Sequence, residues 1–261
     1  MTLQDLAPST RAAVPTVPAP RTPSPAPAVR VRPLQPRDHR WVADLHVREL
    51  PHGLFPALGR RFVRRWHAAH VASPHGTAYV ALRDAEPVGF LLGSFDRRAH
   101  VAWVLRHRRL RLGAAGLAAL AVRPRVAATF LRTRAGRYAR RLLGRPASTS
   151  ATSAPATGGA AVPAEGPVAV LEAVVVLPDH RTRGVGSVLV AAFLRDAAAA
   201  GAPFVELVTK DGGAGAAGFY ERGGWTLVGS HTDRDGDRVL RFRTDPRTAV
   251  GPAAASTPGT A

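Results

Sequence analysis

The sequence predicts an α/β chain built on a mixed central sheet flanked by helices, with an arginine-rich helical insertion between the third and fourth strands. Three observations lead there. Apolar spacing switches between helical and strand periods in the order β-α-α-β-β, a break, then β-α-β-α-β-β. A run of ten residues from Val168 to Leu177, half of them β-branched and all but Glu172 apolar, has the composition of a strand buried on both faces. Three stretches rich in Pro, Ala, Ser and Thr, at 1–28, 146–166 and 247–261, lack periodic apolar residues. They are expected to be a disordered arm, a flexible linker and a disordered tail. The domain is thus predicted to run over 29–246, with the basic helical insertion at 97–145.

Each element has its own signal. Val29 to Leu34 reads as a short strand, and Pro36-Arg37-Asp38 opens a helix in which Trp41, Val42, Leu45 and Leu50 recur at near-helical spacing. The loop Pro51-His52-Gly53 leads to a second helix with an apolar stripe of Leu58, Phe62, Val63, Trp66 and Ala69. Thr77 to Leu82 and Pro87 to Ser94 then form a hairpin about Asp84-Ala85-Glu86. After the insertion come the β-branched strand, stopped by Pro178, and a helix from Gly184 to Ala200 with Val188, Leu189, Ala192, Phe193 and Ala197 on one face. A strand from Phe204 to Thr209, a short helix at Ala214 to Glu221, and strands at Thr226 to Ser230 and Arg238 to Phe242 complete the domain.

Composition narrows the chemistry. The absence of cysteine removes disulfides, thiolate nucleophiles, iron–sulfur clusters and cysteine zinc sites. The chain also lacks Asn and Ile and has Lys210 as its sole lysine, a GC-rich codon signature in which arginine is the default cation. No basic-then-apolar signal segment opens the chain, and the longest nearly uncharged apolar run, Leu112 to Val122, is too short to span a bilayer. The expected location is therefore cytoplasmic, with the insertion as a candidate for contact with the inner membrane face.

The most informative stretch is Val174-Val175-Val176-Leu177-Pro178-Asp179-His180-Arg181-Thr182-Arg183-Gly184-Val185-Gly186-Ser187, a strand, a basic turn with two glycines, and a helix start. Glycines there let backbone N–H groups converge on an anion, and the helix dipole favours negative charge. The P-loop pattern is absent, and the dinucleotide pattern GxGxxG would need glycine at Leu189.

The turn resembles the acyl-CoA signature of the GNAT acetyltransferase superfamily, R/Q-x-x-G-x-G/A, as Arg181-x-x-Gly184-x-Gly186. Ala216-x-x-Phe219-Tyr220-Glu221-Arg222-x-Gly224-Trp225 is similar to that superfamily's second landmark, with Trp for Phe. Leu45 to Gly59 reads L-H-x-x-x-L-P-x-G-x-x-x-x-L-G, as in some bacterial members that carry a basic insertion at the same point. The resemblance implies a GNAT-like sheet and transfer of an acyl group, acetyl above all, from acyl-CoA to an amine, without a metal. It implies a pyrophosphate cradle at Arg181, Thr182, Arg183, Gly184, Val185, Gly186 and Ser187, and a pantetheine arm along the backbone of Val174, Val175 and Val176. Where the family often has a cofactor-contacting Asn, this sequence has Gly213.

Two side chains stand out as catalytic. Tyr220 is the candidate acid for the departing thiolate. Glu172 is the candidate base, because a carboxylate inside an apolar strand is costly unless it faces a wet cleft. Related enzymes often hold the glutamate at what is here Val170, on the same face by period-2 alternation. Glu206 on the next strand is the rival, and a water chain the third option. His67 and His70, with His75 beyond, carry no carboxylate at ligand spacing, so a solvated helix face is expected rather than a metal site. His52 is expected by analogy to line the acceptor pocket.

The insertion holds fourteen arginines and no acid between Arg97 and Arg145. Val101, Val104 and Leu105, then Val126, Phe130 and Tyr138, recur at helical spacing between them. A helical subdomain with a solvated basic face, an amphipathic surface on anionic lipid, and RNA binding are the three readings, in that order. The second class of function is then a weakly catalytic or non-catalytic acyl-CoA-binding module tethered through this insertion.

Overall fold

A computed structural model of the chain describes residues 28–133, 167–212, 216–233 and 236–249. The expected arm, the linker, most of the tail, the later part of the insertion and Gly213 lie outside the described residues.

Strand β1 (Arg30–Pro33) leads through a 3-10 turn at Pro36–Asp38 into helix α1 (His39–Glu49). Asp38 fixes that turn by accepting from both Nη atoms of Arg32, at 2.6 and 2.9 Å, and from the Gln35 N–H at 2.8 Å. The second expected helix is split. Gly53 and Gly59, at φ of 90° and 89°, bracket the four-residue α2 (Leu54–Ala57), and α3 (Arg60–Val71) starts afresh after Gly59. Strands β2 (Gly76–Arg83) and β3 (Glu86–Ser94) form the predicted hairpin, with Asp84 and Ala85 at φ of 51° and 67° in a turn whose hand matches strand twist.

The described part of the insertion is helical: α4 (Arg97–Ala121), capped by Asp96 accepting from the Ala99 N–H at 3.0 Å, then α5 (Pro124–Thr133). No single helix among the described residues is long and apolar enough to cross a membrane. The chain returns in β4 (Ala169–Val176), α6 (Val185–Ala199), β5 (Val205–Lys210), α7 (Ala216–Arg222), β6 (Thr226–Thr232), β7 (Arg238–Thr244) and the short α8 (Pro246–Ala249).

These strands make one seven-stranded sheet in the order β1-β2-β3-β4-β5-β7-β6, with β4 and β5 parallel and the other neighbours antiparallel. The β-branched run thus lies at the centre, as its composition requires. One face packs on α6 through Leu189, Phe193, Val205, Leu207 and Phe242, and the other on α1 and α3 through Val42, Leu45, Val80, Phe90 and Leu92. Contact with α6 is close enough to need glycine on β3: a Cβ on Gly93 would stand 2.4 Å from the Phe193 ring.

Two irregularities of β4 position the site. Its register against β3 pairs Leu92 with Ala173 and Gly93 with Leu171, so Glu172 is the extra residue of a β-bulge. The bulge reverses the alternation: Ala169 and Leu171 join the α6-side core, whereas Ala173 and Val175 join the α1/α3-side core and Val174 and Val176 pack against the α6 side. The second irregularity is a parting of strands. β4 pairs with β5 from Ala169↔Val205 to Leu171↔Leu207, and there the ladder ends, although both strands continue.

Candidate active site

Beyond Leu171 the parted strands enclose a cleft of about 800 Å³, lined by Glu172, Val174, Val175 and Val176 from β4 and Val208, Thr209 and Lys210 from β5. His46, Glu49 and His52 of the α1–α2 segment close its other side, so His52 lies on the cleft wall. A strand freed from a neighbour presents unpaired backbone groups, and an extended substrate arm supplies their partners.

At the mouth of the cleft, α6 begins at Gly184, whose φ of 77° is left-handed. No side chain caps this helix, so its first N–H groups face outward, and Arg181, Thr182, Arg183, Gly184 and Ser187 are exposed. Thr182 also has a positive φ of 60°, which tightens the turn. Gly186 lies under Phe219, where an added Cβ would come within 3.4 Å of the ring, so the helix start sits close against α7. Arg181 donates from Nε to the Val176 carbonyl at 3.1 Å and from Nη2 to Glu49 at 2.6 Å. Arg48, and then Arg181, hold the Glu49 carboxyl below the usual carboxylate range.

The bulge turns Glu172 toward α3 and α4. Its Oε1 accepts from Arg97 and from the Ser94 hydroxyl at 3.3 Å, and its Oε2 stands 3.8 Å from His70 Nδ1. The rival Glu206 is held by Arg243, with bonds of 3.1 and 2.6 Å, and is not among the cleft-lining residues. Tyr220 is 8% exposed and packs edge-on to Phe219 and Trp225 in the α6-side core, rather than lining the cleft. Burial pushes its phenol up, which keeps it protonated.

The expectation of a solvated histidine face on α3 is corrected. His67 and His70 are fully buried. His67 Nε2 lies 3.2 Å from His46 Nδ1, and both rings pack on Trp66 and Phe90. Burial lowers His46 to about 4 and drives His67 well below the ordinary value. The missing carboxylate is supplied from β4: Glu172 joins His70 and the buried His100 of α4. Sequence distance hides this cluster, but Val63, His67 and His70 share one helical stripe, which is the available signal.

Residues 150–225 match the family model described as the acetyltransferase (GNAT) family, a span that holds the parted strand, the turn and the second landmark. The fold agrees: SsHAT is 25% identical over 84% of this chain and 99% of its own, with a TM-score of 0.53. Residues 150–225 are a GNAT acetyltransferase domain. A spermidine N-acetyltransferase SpeG chimera from Vibrio cholerae and hSSAT shares this GNAT fold at 11% identity, with 85% and 98% of the two chains covered and a TM-score of 0.50. A search of curated proteins finds no match. The open strand edge and the uncapped helix start both lie within this GNAT-type N-acetyltransferase span.

Proposed function

We propose that this protein transfers an acetyl group, or another short acyl group, from acyl-CoA to a primary amine within a ternary complex. The parting of β4 from β5 beside the uncapped start of α6 carries the reading, because it joins an extended slot to an anion cradle. In this account the N–H groups of Val185, Gly186 and Ser187, with Arg181, Thr182 and Arg183 around Gly184, hold the pyrophosphate. The backbone of Val174, Val175 and Val176 holds the pantetheine arm and polarises the thioester carbonyl. Gly213, where the family often has Asn, lies outside the described residues and takes no part in this account. Arg97 and Ser94 occupy one oxygen of Glu172, so Oε2 accepts the proton of the incoming amine. Tyr220, kept neutral by burial and set back from the cleft lining, is the candidate acid for the thiolate.

Titrating the purified chain with acetyl-CoA, followed by free-thiol release across small amines, amino sugars, peptide N-termini and protein lysines, tests the proposal. Saturable binding with thiol release on at least one acceptor is the expected result. Absence of acetyl-CoA binding at millimolar ligand would favour a tethered module in which the site is vestigial.

The insertion supports a second reading, contact with an anionic membrane surface. Leu110, Leu117, Val122 and Leu131 are between 67% and 79% exposed, with exposed Arg106, Arg109, Arg111, Arg125 and Arg132 among them. Co-sedimentation with anionic but not neutral vesicles, weakening as salt rises, is expected. A stronger preference for RNA would replace this reading with nucleic-acid binding.

A further inference from the structure

We propose that His70, His100 and Glu172 form a site for a divalent transition-metal ion of the zinc class, where Glu172 of the cleft wall meets two buried histidines. One ligand atom from each lies within 4.8 Å of the other two. The three residues come from α3, α4 and β4, so the fold rather than a local sequence motif assembles them.

The histidines are prepared as ligands. His70 Nε2 is 2.7 Å from the Gly93 carbonyl, an acceptor only, so Nε2 carries the proton and Nδ1 keeps its lone pair. A ligating imidazole commonly has this outer contact, which fixes both tautomer and ring. Nδ1 of His70 and Nδ1 of His100 are buried without a hydrogen-bond partner among the described residues, a costly arrangement that a metal bond at His70 relieves. His100 is held against Gly76, where a Cβ would come within 3.0 Å of its ring, and its centroid is 4.2 Å from that of His70. Glu172 Oε2 provides the third donor, facing His70. Two imidazoles and one carboxylate suit zinc, and water as a fourth ligand would reach the ion past Glu172, the one of the three that lines the cleft. The hard, oxygen-seeking magnesium ion is a poor fit.

Arg97 opposes the ion, because its guanidinium pairs with Glu172 Oε1. Its side chain is 48% exposed, however, so Arg97 has room to turn into solvent when a divalent charge arrives, although Glu172 itself is 10% exposed.

The test is competition between the full chain and a chromophoric chelator for Zn²⁺, with Co²⁺ as a spectroscopic probe and Mg²⁺ as control. One Zn²⁺ per chain, an intense visible Co²⁺ band from four-coordinate geometry, and no Mg²⁺ binding are expected. His70→Gln and His100→Gln should each weaken Zn²⁺ binding about tenfold or more. Arg97→Ala, an exposed change that leaves all three ligands in place, should tighten it. Binding that survives both histidine substitutions, or that Arg97→Ala weakens, would overturn the site. Should both histidine variants fail to fold, Glu172→Gln and Arg97→Ala still move the affinity in opposite directions if the site is real. The metal readouts need no acyl-CoA, so they stand apart from the proposed transferase chemistry. Zinc binding without inhibition of acyl transfer would support the metal site and remove Glu172 as the base.

Discussion

Arg181 bridges two elements that the cleft separates: its Nη2 donates to Glu49 Oε2 at 2.6 Å, and its Nε donates to the Val176 carbonyl at 3.1 Å. The guanidinium at the turn proposed to hold pyrophosphate is therefore shared with α1. A carboxylate there competes with pyrophosphate for the same cation. Glu49→Gln should tighten acetyl-CoA binding by up to about fivefold, the scale of one partly exposed ion pair. Calorimetry at low salt checks this, and weaker binding would show that Glu49 holds Arg181 in its working position.

A Cβ added at Gly184 would meet open space, but the φ of 77° there is left-handed, so substitution brings strain and no clash. Gly184→Glu should cost roughly 1–2 kcal/mol of stability through the left-handed backbone. The same change should lower acetyl-CoA affinity about tenfold or more by setting a carboxylate against phosphate. Thermal unfolding and ligand titration separate the two effects, and intact affinity would move the phosphate site elsewhere.

Tyr220→Phe removes one oxygen from a ring that keeps its packing on Phe219 and Trp225. Acetyl-CoA affinity should be unchanged while kcat falls about 100-fold, the lower range for loss of a general acid. Unaltered turnover in a free-thiol assay would leave Tyr220 as a core residue alone.

Acid should destabilise the fold through His46. Its folded value of about 4, set by burial, lies below the ordinary 6.5, so the unfolded chain binds the extra proton between those values. Stability is present in full above about pH 6.5, declines as pH falls toward 4, and levels off below that for this group. The change from His46 is on the order of 3 kcal/mol, with His67 adding in the same direction. His46→Phe, which keeps an aromatic ring beside Phe90, should flatten the acid limb of a Tm-versus-pH curve. An equally steep limb in that variant would assign the effect to other groups.

Legibility follows the range of the interactions. Val168 to Leu177 and the Arg181 to Gly186 turn are readable because strand burial and a glycine-bearing turn into a helix are encoded within a few residues. The bulge at Glu172 is not, since a strand apolar on both faces shows no alternation whose reversal betrays an extra residue. His67 and His70 look solvated in sequence because Arg60, Arg61, Arg64 and Arg65 share their helix. The contact of His70 with Glu172 spans 102 positions and exists only after α3, α4 and β4 are assembled.

The Arg97 N–H donates to the Val168 carbonyl at 2.9 Å, so the segment between β3 and β4 leaves and re-enters the sheet at one latch. Topologically it is the loop of a hairpin whose strands are already in register. Its length is then free to vary without rethreading the sheet, much as cargo can change behind a closed clasp. The first turn of α4 is the exception, because Arg97 and His100 both reach toward Glu172. A replacement segment spliced in after His100 would inherit the site intact, whereas one spliced at the latch would remove part of its wall.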